Sequence, residues 1–165
     1  MPALNSRFVQ MMNRRKVRET VLQALYAYEL SGDTRDVPLK MIIHPLVDKD
    51  DLGFAERLYF STIDRFDELD VEITKRLDNW DLGRLALVDK IVLRMALTEL
   101  IEFPDIPTKV SINEAIEIAK KFSTSKSGMF VNGILDSACQ DMVKDGRIVK
   151  TGRGLVNSSS KKLGD

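Results

Sequence analysis

Apolar residues recur along most of the chain at three- and four-residue intervals, and no segment alternates strictly as a half-buried strand would. The pattern predicts an all-α protein. A first helix spans about Arg14 to Leu30 and ends before Ser31-Gly32-Asp33, with Val17, Val21, Ala24, Leu25 and Tyr28 on one stripe. Arg15, Arg18, Leu22 and Tyr26 project from another arc of that helix. A weaker element lies between Asp36 and Leu46, interrupted by Pro38 and Pro45. From Asp50 or Asp51, either a good N-cap, a helix runs to about Phe66 with Leu52, Ala55, Tyr59 and Phe66 inward. A shorter one carries Leu69, Ile73 and Leu77 towards Trp80.

The stretch from Leu85 to Glu102 differs in kind. Ten of the fifteen residues from Leu87 to Ile101 are apolar, which predicts a helix buried on most of its circumference and central to the fold. Lys90, Arg94 and Thr98, with Asp89 beside them, form its narrow polar strip. After Pro104 and Pro107, Ser111-Ile112-Asn113-Glu114 has the spacing of a capping box opening the next helix, with Ala115, Ile116, Ala119 and Phe122 inward. Ser123-Thr124-Ser125 supplies caps for a last helix from about Ser127 to Val143, whose core stripe is Val131, Ile134, Leu135, Ala138 and Met142. Phe130 falls off that stripe, on an arc shared with Lys126, Gly133 and Ser137. Gly133 reads either as a site of close helix packing or as a flat surface for a partner's backbone. Outside this body, residues 1–12 read as a loose extension and residues 144–165, rich in Gly and Ser, as a basic disordered tail.

Composition narrows the function. The chain has 165 residues, 44% apolar and 30% charged, ordinary values for one globular domain. No apolar run is long enough for a membrane span, and Arg14, Arg15 and Lys16 stand where a signal peptide would have its apolar core, so a cytoplasmic protein is expected. Cys139 and His44 are each the only residue of their kind, too few for a disulfide or a zinc site of the usual type. No phosphate loop or dinucleotide fingerprint is present. Neither catalytic residues nor a cofactor are expected.

A net charge of zero conceals a split: residues 1–30 balance at +3, residues 31–143 at −7 and residues 144–165 at +4. Such a split suits a polyanion at the basic ends and a basic partner for the acidic body. Arg14-Arg15-Lys16-Val17-Arg18 places four basic residues in five at the expected helix start. Basic charge there opposes the helix dipole, so phosphate contact is a better reason for it than helix stability, with solvated charge as the alternative. An off-core ring, Phe130, beside Lys126 and Ser127 adds a surface on which a base could stack. Together they suggest single-stranded RNA rather than a duplex read by a helix-turn-helix.

These residues also carry a resemblance. Arg14-Arg15-Lys16-Val17-Arg18-Glu19 followed by Leu22-Gln23-Ala24-Leu25-Tyr26 resembles the opening of the NusB transcription antitermination factors. Leu93 to Leu100, Asp105-Ile106-Pro107 with Ile112 to Phe122, and Phe130-Val131-Asn132-Gly133-Ile134-Leu135-Asp136 are similar to later motifs of that family. The likeness covers about residues 13–143. It implies about seven helices in two perpendicular three-helix units, and RNA binding without catalysis. It further implies a heterodimer with ribosomal protein S10 (NusE) on boxA RNA, within an RNA polymerase complex containing other Nus factors. Family members include monomers and homodimers. Carried over, the RNA surface would be Arg14, Arg15, Lys16, Arg18, Tyr26 and Phe130, with Lys126 and Ser127 near it, and Asp89 would face S10. Lys126 stands where relatives often carry an acid, and Met129 where Lys or Arg is frequent; the first should strengthen phosphate attraction and the second weaken it. A related helical module precedes the catalytic domain of some ribosomal RNA cytosine methyltransferases, which is the alternative reading.

Overall fold

The structure is a computed structural model that describes residues 2–78 and 81–155. Its described residues form seven helices and no strand: α1 (Pro2–Ser31), α2 (36–46), α3 (Leu52–Asp64), α4 (Phe66–Thr74), α5 (Leu87–Glu102), α6 (Thr108–Phe122) and α7 (Ser125–Lys144). No helix among them is long and apolar enough to cross a membrane. The chain divides into two compact units, residues 1–63 and 64–165.

In the first unit, α1 runs for 30 residues. Residues 2–12, expected as a loose extension, continue the same helix. Val17, Val21, Ala24 and Leu25 are buried as the stripe predicts, but so are Arg18 and Leu22 on the adjoining arc. Helix α2 is assembled from Asp36–Pro38, a π-helical turn Leu39–Ile43 and His44–Leu46. Pro45 has no amide to donate and its ring crowds the carbonyl four residues back, a conflict that a widened turn relieves. Leu39, Ile43 and Val47 enter the core beside Ala55, Leu58 and Tyr59 of α3. The buried Tyr59 hydroxyl donates to Arg35 O at 2.7 Å, and burial pushes its pKa up to about 12. His44 stays at the surface, 2.9 Å from Glu56 Oε1.

The second unit is built around α5, on which α4, α6 and α7 pack. From Ile91 to Leu100 every residue of α5 is buried, Arg94 and Thr98 of the expected polar strip included, while Lys90 stays half-exposed. Arg94 lies inside because Asp70 meets it with both oxygens, Nε–Oδ1 2.7 Å and Nη2–Oδ2 2.8 Å, while its guanidinium stacks 4.2 Å from the Phe66 ring. Thr98 returns its hydroxyl to Arg94 O at 2.8 Å. Arg65 breaks the chain between α3 and α4, where its φ, ψ of −104°, 7° leave the helical region, so α3 ends before the expected Phe66. Trp80 lies outside the described residues.

The expected capping box at Ser111 does not form. Helix α6 begins three residues earlier, with Pro107 O accepting from the amides of Val110 and Ser111. Ser111 is thus inside the helix and donates to Glu99 Oε1 of α5 at 2.9 Å. At the start of α7 the expected capping occurs, through Thr124 Oγ1 accepting from Ser127 N at 3.1 Å. The five predicted core positions of α7 are all buried. Close packing of α7 on α6 falls at Gly128, where a Cβ would come within 2.9 Å of the Lys120 stem. Around Gly133 a Cβ would meet nothing within 4 Å.

The tail departs most from expectation. Residues 144–155 do not dangle: the chain turns at Gly146 (φ +82°), buries Ile148, and closes with a 3₁₀ turn Gly152–Leu155. Lys150 Nζ donates to Phe103 O at 2.8 Å and Thr151 N to Pro104 O at 3.0 Å, satisfying carbonyls just beyond the end of α5. Gly154 packs so tightly that a Cβ would lie 2.1 Å from Pro104 O. Arg147 reaches Glu72, which also receives Lys75 and Arg76. Burial alone would raise the Glu72 pKa, but these three cationic donors pull it down to about 2. Residues 156–165 lie outside the described part.

Candidate nucleic-acid interface

The sequence-expected RNA residues fall in both units, and each group is described within its own unit. In the first, the basic run lies well inside α1 rather than at its N-terminus, because the helix already starts at Pro2. The unfavourable end-of-helix electrostatics expected from the sequence therefore does not apply, since that effect fades within the first turn. From Arg14 to Arg18 the helix turns through about 400°, so the run wraps the helix and its members meet different surroundings.

Arg14 is half-buried, 4.0 Å above the Phe54 ring and with Nε 3.5 Å from Asp51 Oδ1. Arg18 is only 5% exposed, with its guanidinium 5.4 Å from the same ring. Arg18, expected on the RNA face, is thus held inward in this structure: an arginine stem can lie along apolar surface, and a ring face receives its charge. Phe54 holds both arginines and was not singled out by the sequence pattern. Its one signal is an aromatic ring off the Ala55/Tyr59 core stripe of α3.

Arg15 is half-buried, and Lys16 is exposed. Lys16 lines a cleft of about 420 Å³ with Glu19, Gln23, Asp48 and Asp51 among the other walls. Tyr26, two turns beyond Arg18, exposes 39% of its surface. Lysine and arginine charges here can meet phosphate, and the exposed ring can meet a base.

In the second unit the first turns of α7 present Lys126 and Met129 to solvent and leave Phe130 half-exposed. Phe130 is off the core, as its phase predicts. Ser127 is different: it is buried and donates its hydroxyl to Asp89 Oδ2 at 3.0 Å. Asp89, expected to face a protein partner, is itself only 8% exposed. The structure therefore joins two residues that the resemblance assigns to separate surfaces. The reason is their position, one in the first turn of α5 and the other in the first turn of α7, two helices in direct contact.

Basic and aromatic side chains on exposed helix faces, as the described residues present them, are what recognition of nucleic acid through charge and stacking requires. Residues 15–140 match the model of the NusB family, and the chain belongs to that family. It is 44% identical over 148 residues to the transcription antitermination protein NusB of Salinibacter ruber, covering 88% of this chain and 92% of that protein. The NusB protein of Chloroherpeton thalassium is 43% identical over 153 residues, 92% of this chain and 72% of that one. Among solved structures, T. maritima NusB aligns with a TM-score of 0.75 at 37% identity, covering 81% of this chain and 95% of its own. A NusB chain from a crystal structure of the antitermination factors NusB and NusE in complex with dsRNA aligns with a TM-score of 0.72 at 26% identity, covering 79% and 98%.

Proposed function

We propose that this protein is a transcription antitermination factor that binds boxA-type RNA as a heterodimer with ribosomal protein S10 (NusE). In that role it supports ribosomal RNA transcription by RNA polymerase together with other Nus factors, acting by binding and not by catalysis. The observation that carries this reading is the basic segment of α1, with Arg14, Arg15 and Lys16 half-exposed or exposed, in a chain whose solved relative is bound to NusE and RNA.

On this reading Arg14, Arg15 and Lys16 contact phosphate, Tyr26, Lys126 and Phe130 contact bases and backbone, and Asp89 belongs to the S10 side. Arg18 and Ser127 are buried and support their neighbours from beneath. The −7 balance of residues 31–143 suits a basic ribosomal protein. The methyltransferase-module alternative has less support, because the chain covers 92% of a relative that is itself an antitermination protein.

Fluorescence anisotropy tests the reading, using a boxA-like single strand, a scrambled strand and a duplex, with and without equimolar S10, across a salt series. Tighter binding to the boxA-like strand in the presence of S10, weakening linearly with log salt, is expected. Equal affinity for all three RNAs, unmoved by S10, would overturn it.

A further inference from the structure

The Asp89 carboxylate is buried but incompletely satisfied. Oδ2 receives Ser127 Oγ at 3.0 Å, whereas Oδ1 has no hydrogen-bond donor among the described residues. A buried carboxylate oxygen without a donor keeps the penalty of its lost hydration, so a cationic donor that reached it would bind with more than ordinary strength. Asp89 as a whole keeps 8% exposure, and along its helix Ala86 is exposed and Lys90 partly so.

Ser127, the one residue that holds the carboxylate, is also a junction. Ser123 Oγ lies 2.9 Å and Thr124 Oγ1 3.1 Å from its hydroxyl oxygen, and its amide donates to Thr124 Oγ1. Its only hydroxyl proton goes to Asp89, so the neighbouring hydroxyls donate towards it and the whole cap of α7 is oriented by the carboxylate. That cap carries Lys126, and Phe130 follows one turn later.

We propose that the Ser127–Asp89 hydrogen bond couples the two binding events: a basic side chain of the protein partner completes Asp89 at Oδ1 and thereby fixes the first turn of α7 for RNA. The inference rests on the heterodimer reading above. With one oxygen unheld, the carboxylate can rotate and the cap of α7 can shift with it. A second donor removes that freedom before RNA arrives, so less ordering is left for the RNA to impose. Because the coupling is a property of equilibrium binding, RNA must tighten S10 by the same factor as S10 tightens RNA. Ser127 is thus a positioning residue and touches neither ligand.

The test compares RNA affinity with and without saturating S10 for the native chain, Ser127→Ala and Ser127→Thr, using a labelled boxA-like strand and checking melting curves in parallel. S10 is expected to tighten RNA binding to the native chain by about tenfold, and to Ser127→Ala by about twofold or less. The readout is the ratio of RNA affinities with and without S10, from which any change that Ser127→Ala makes to the binding of either ligand alone cancels. Ser127→Thr, which keeps the hydroxyl, should restore the native factor. Should Ser127→Ala fail to fold, Ser127→Cys replaces it, a near-isosteric weak donor with the same loss expected. Undiminished tightening in a folded Ser127→Ala or Ser127→Cys overturns the coupling alone. Absence of any tightening in the native chain overturns the heterodimer reading and the coupling with it.

Discussion

Helix α5 and the middle of α1 both carry charged residues at positions that the sequence pattern presents as polar, and they treat them differently. Along α5 two charges in the buried stretch lie inside and meet partners from neighbouring helices: Arg94 is held by both oxygens of Asp70, and Glu99 by Ser111. Along α1 only Arg18 is drawn in, over the face of Phe54, while Arg14 and Arg15 remain half-exposed and Lys16 reaches solvent. A charge buried against its counterpart becomes architecture. One that stays at the surface remains available to a second molecule. Sequence position alone does not separate the two.

The sharpest way to break this contrast is to remove a charge from each helix. Arg94→Ala should lower unfolding free energy by about 3 kcal/mol, because it strips the bidentate partner from Asp70 and leaves a void against Phe66. Urea denaturation should show a lower midpoint at an unchanged slope. The paired change Arg15→Ala with Lys16→Ala should act the other way round. Its unfolding free energy should fall by no more than about 1 kcal/mol, the range of a surface ion pair, while RNA affinity falls by about tenfold and the salt slope becomes shallower by roughly one for each phosphate no longer neutralised. A large loss of stability in that variant would move the α1 charges into the architectural class.

Glu72 sharpens the comparison through pH. Its pKa is about 2 in the folded chain against an ordinary value of 4.5. Between those values the unfolded chain takes up a proton that the folded chain refuses, so stability rises with pH across this window. Its contribution is complete above pH ~4.5 and is lost as pH falls towards ~2. Glu72→Gln should flatten that part of the acid-unfolding profile, followed by circular dichroism. The smallest effect is expected at Gly133, where nothing crowds an added Cβ. Gly133→Ala should stabilise α7 by up to about 1 kcal/mol, read as a higher melting temperature. No gain there would mean that the helix backbone is perturbed at this point.

Most of the fold was legible because helical periodicity survives translation into three dimensions. The stripe Val131, Ile134, Leu135, Ala138 and Met142 is buried as spaced. What the sequence concealed depends on distant partners. Ser111 fits a local capping pattern, yet its hydroxyl goes to Glu99, twelve residues away on another helix. Of the candidate site, the basic run, the exposed Tyr26 and the off-core phase of Phe130 could all be read directly. Arg18 and Ser127 could not, because their burial rests on Phe54 and Asp89, which no spacing rule links to them. Glycine content misled the reading of the tail in a different way. The same residues that signal looseness in a composition count supply the turn at Gly146 and the close approach at Gly154.

That close approach makes the segment between Gly146 and Gly154 a ruler. Its backbone must deliver Thr151 N to Pro104 O and, three residues later, a position without a side chain to the same oxygen. Inserting or deleting a single residue between Thr151 and Gly154 would, unless it set another glycine there, present a Cβ where there is no space. Beyond the stretch matched by the family model, which stops at residue 140, this part of the chain should therefore tolerate exchange of its exposed side chains while resisting any change in length.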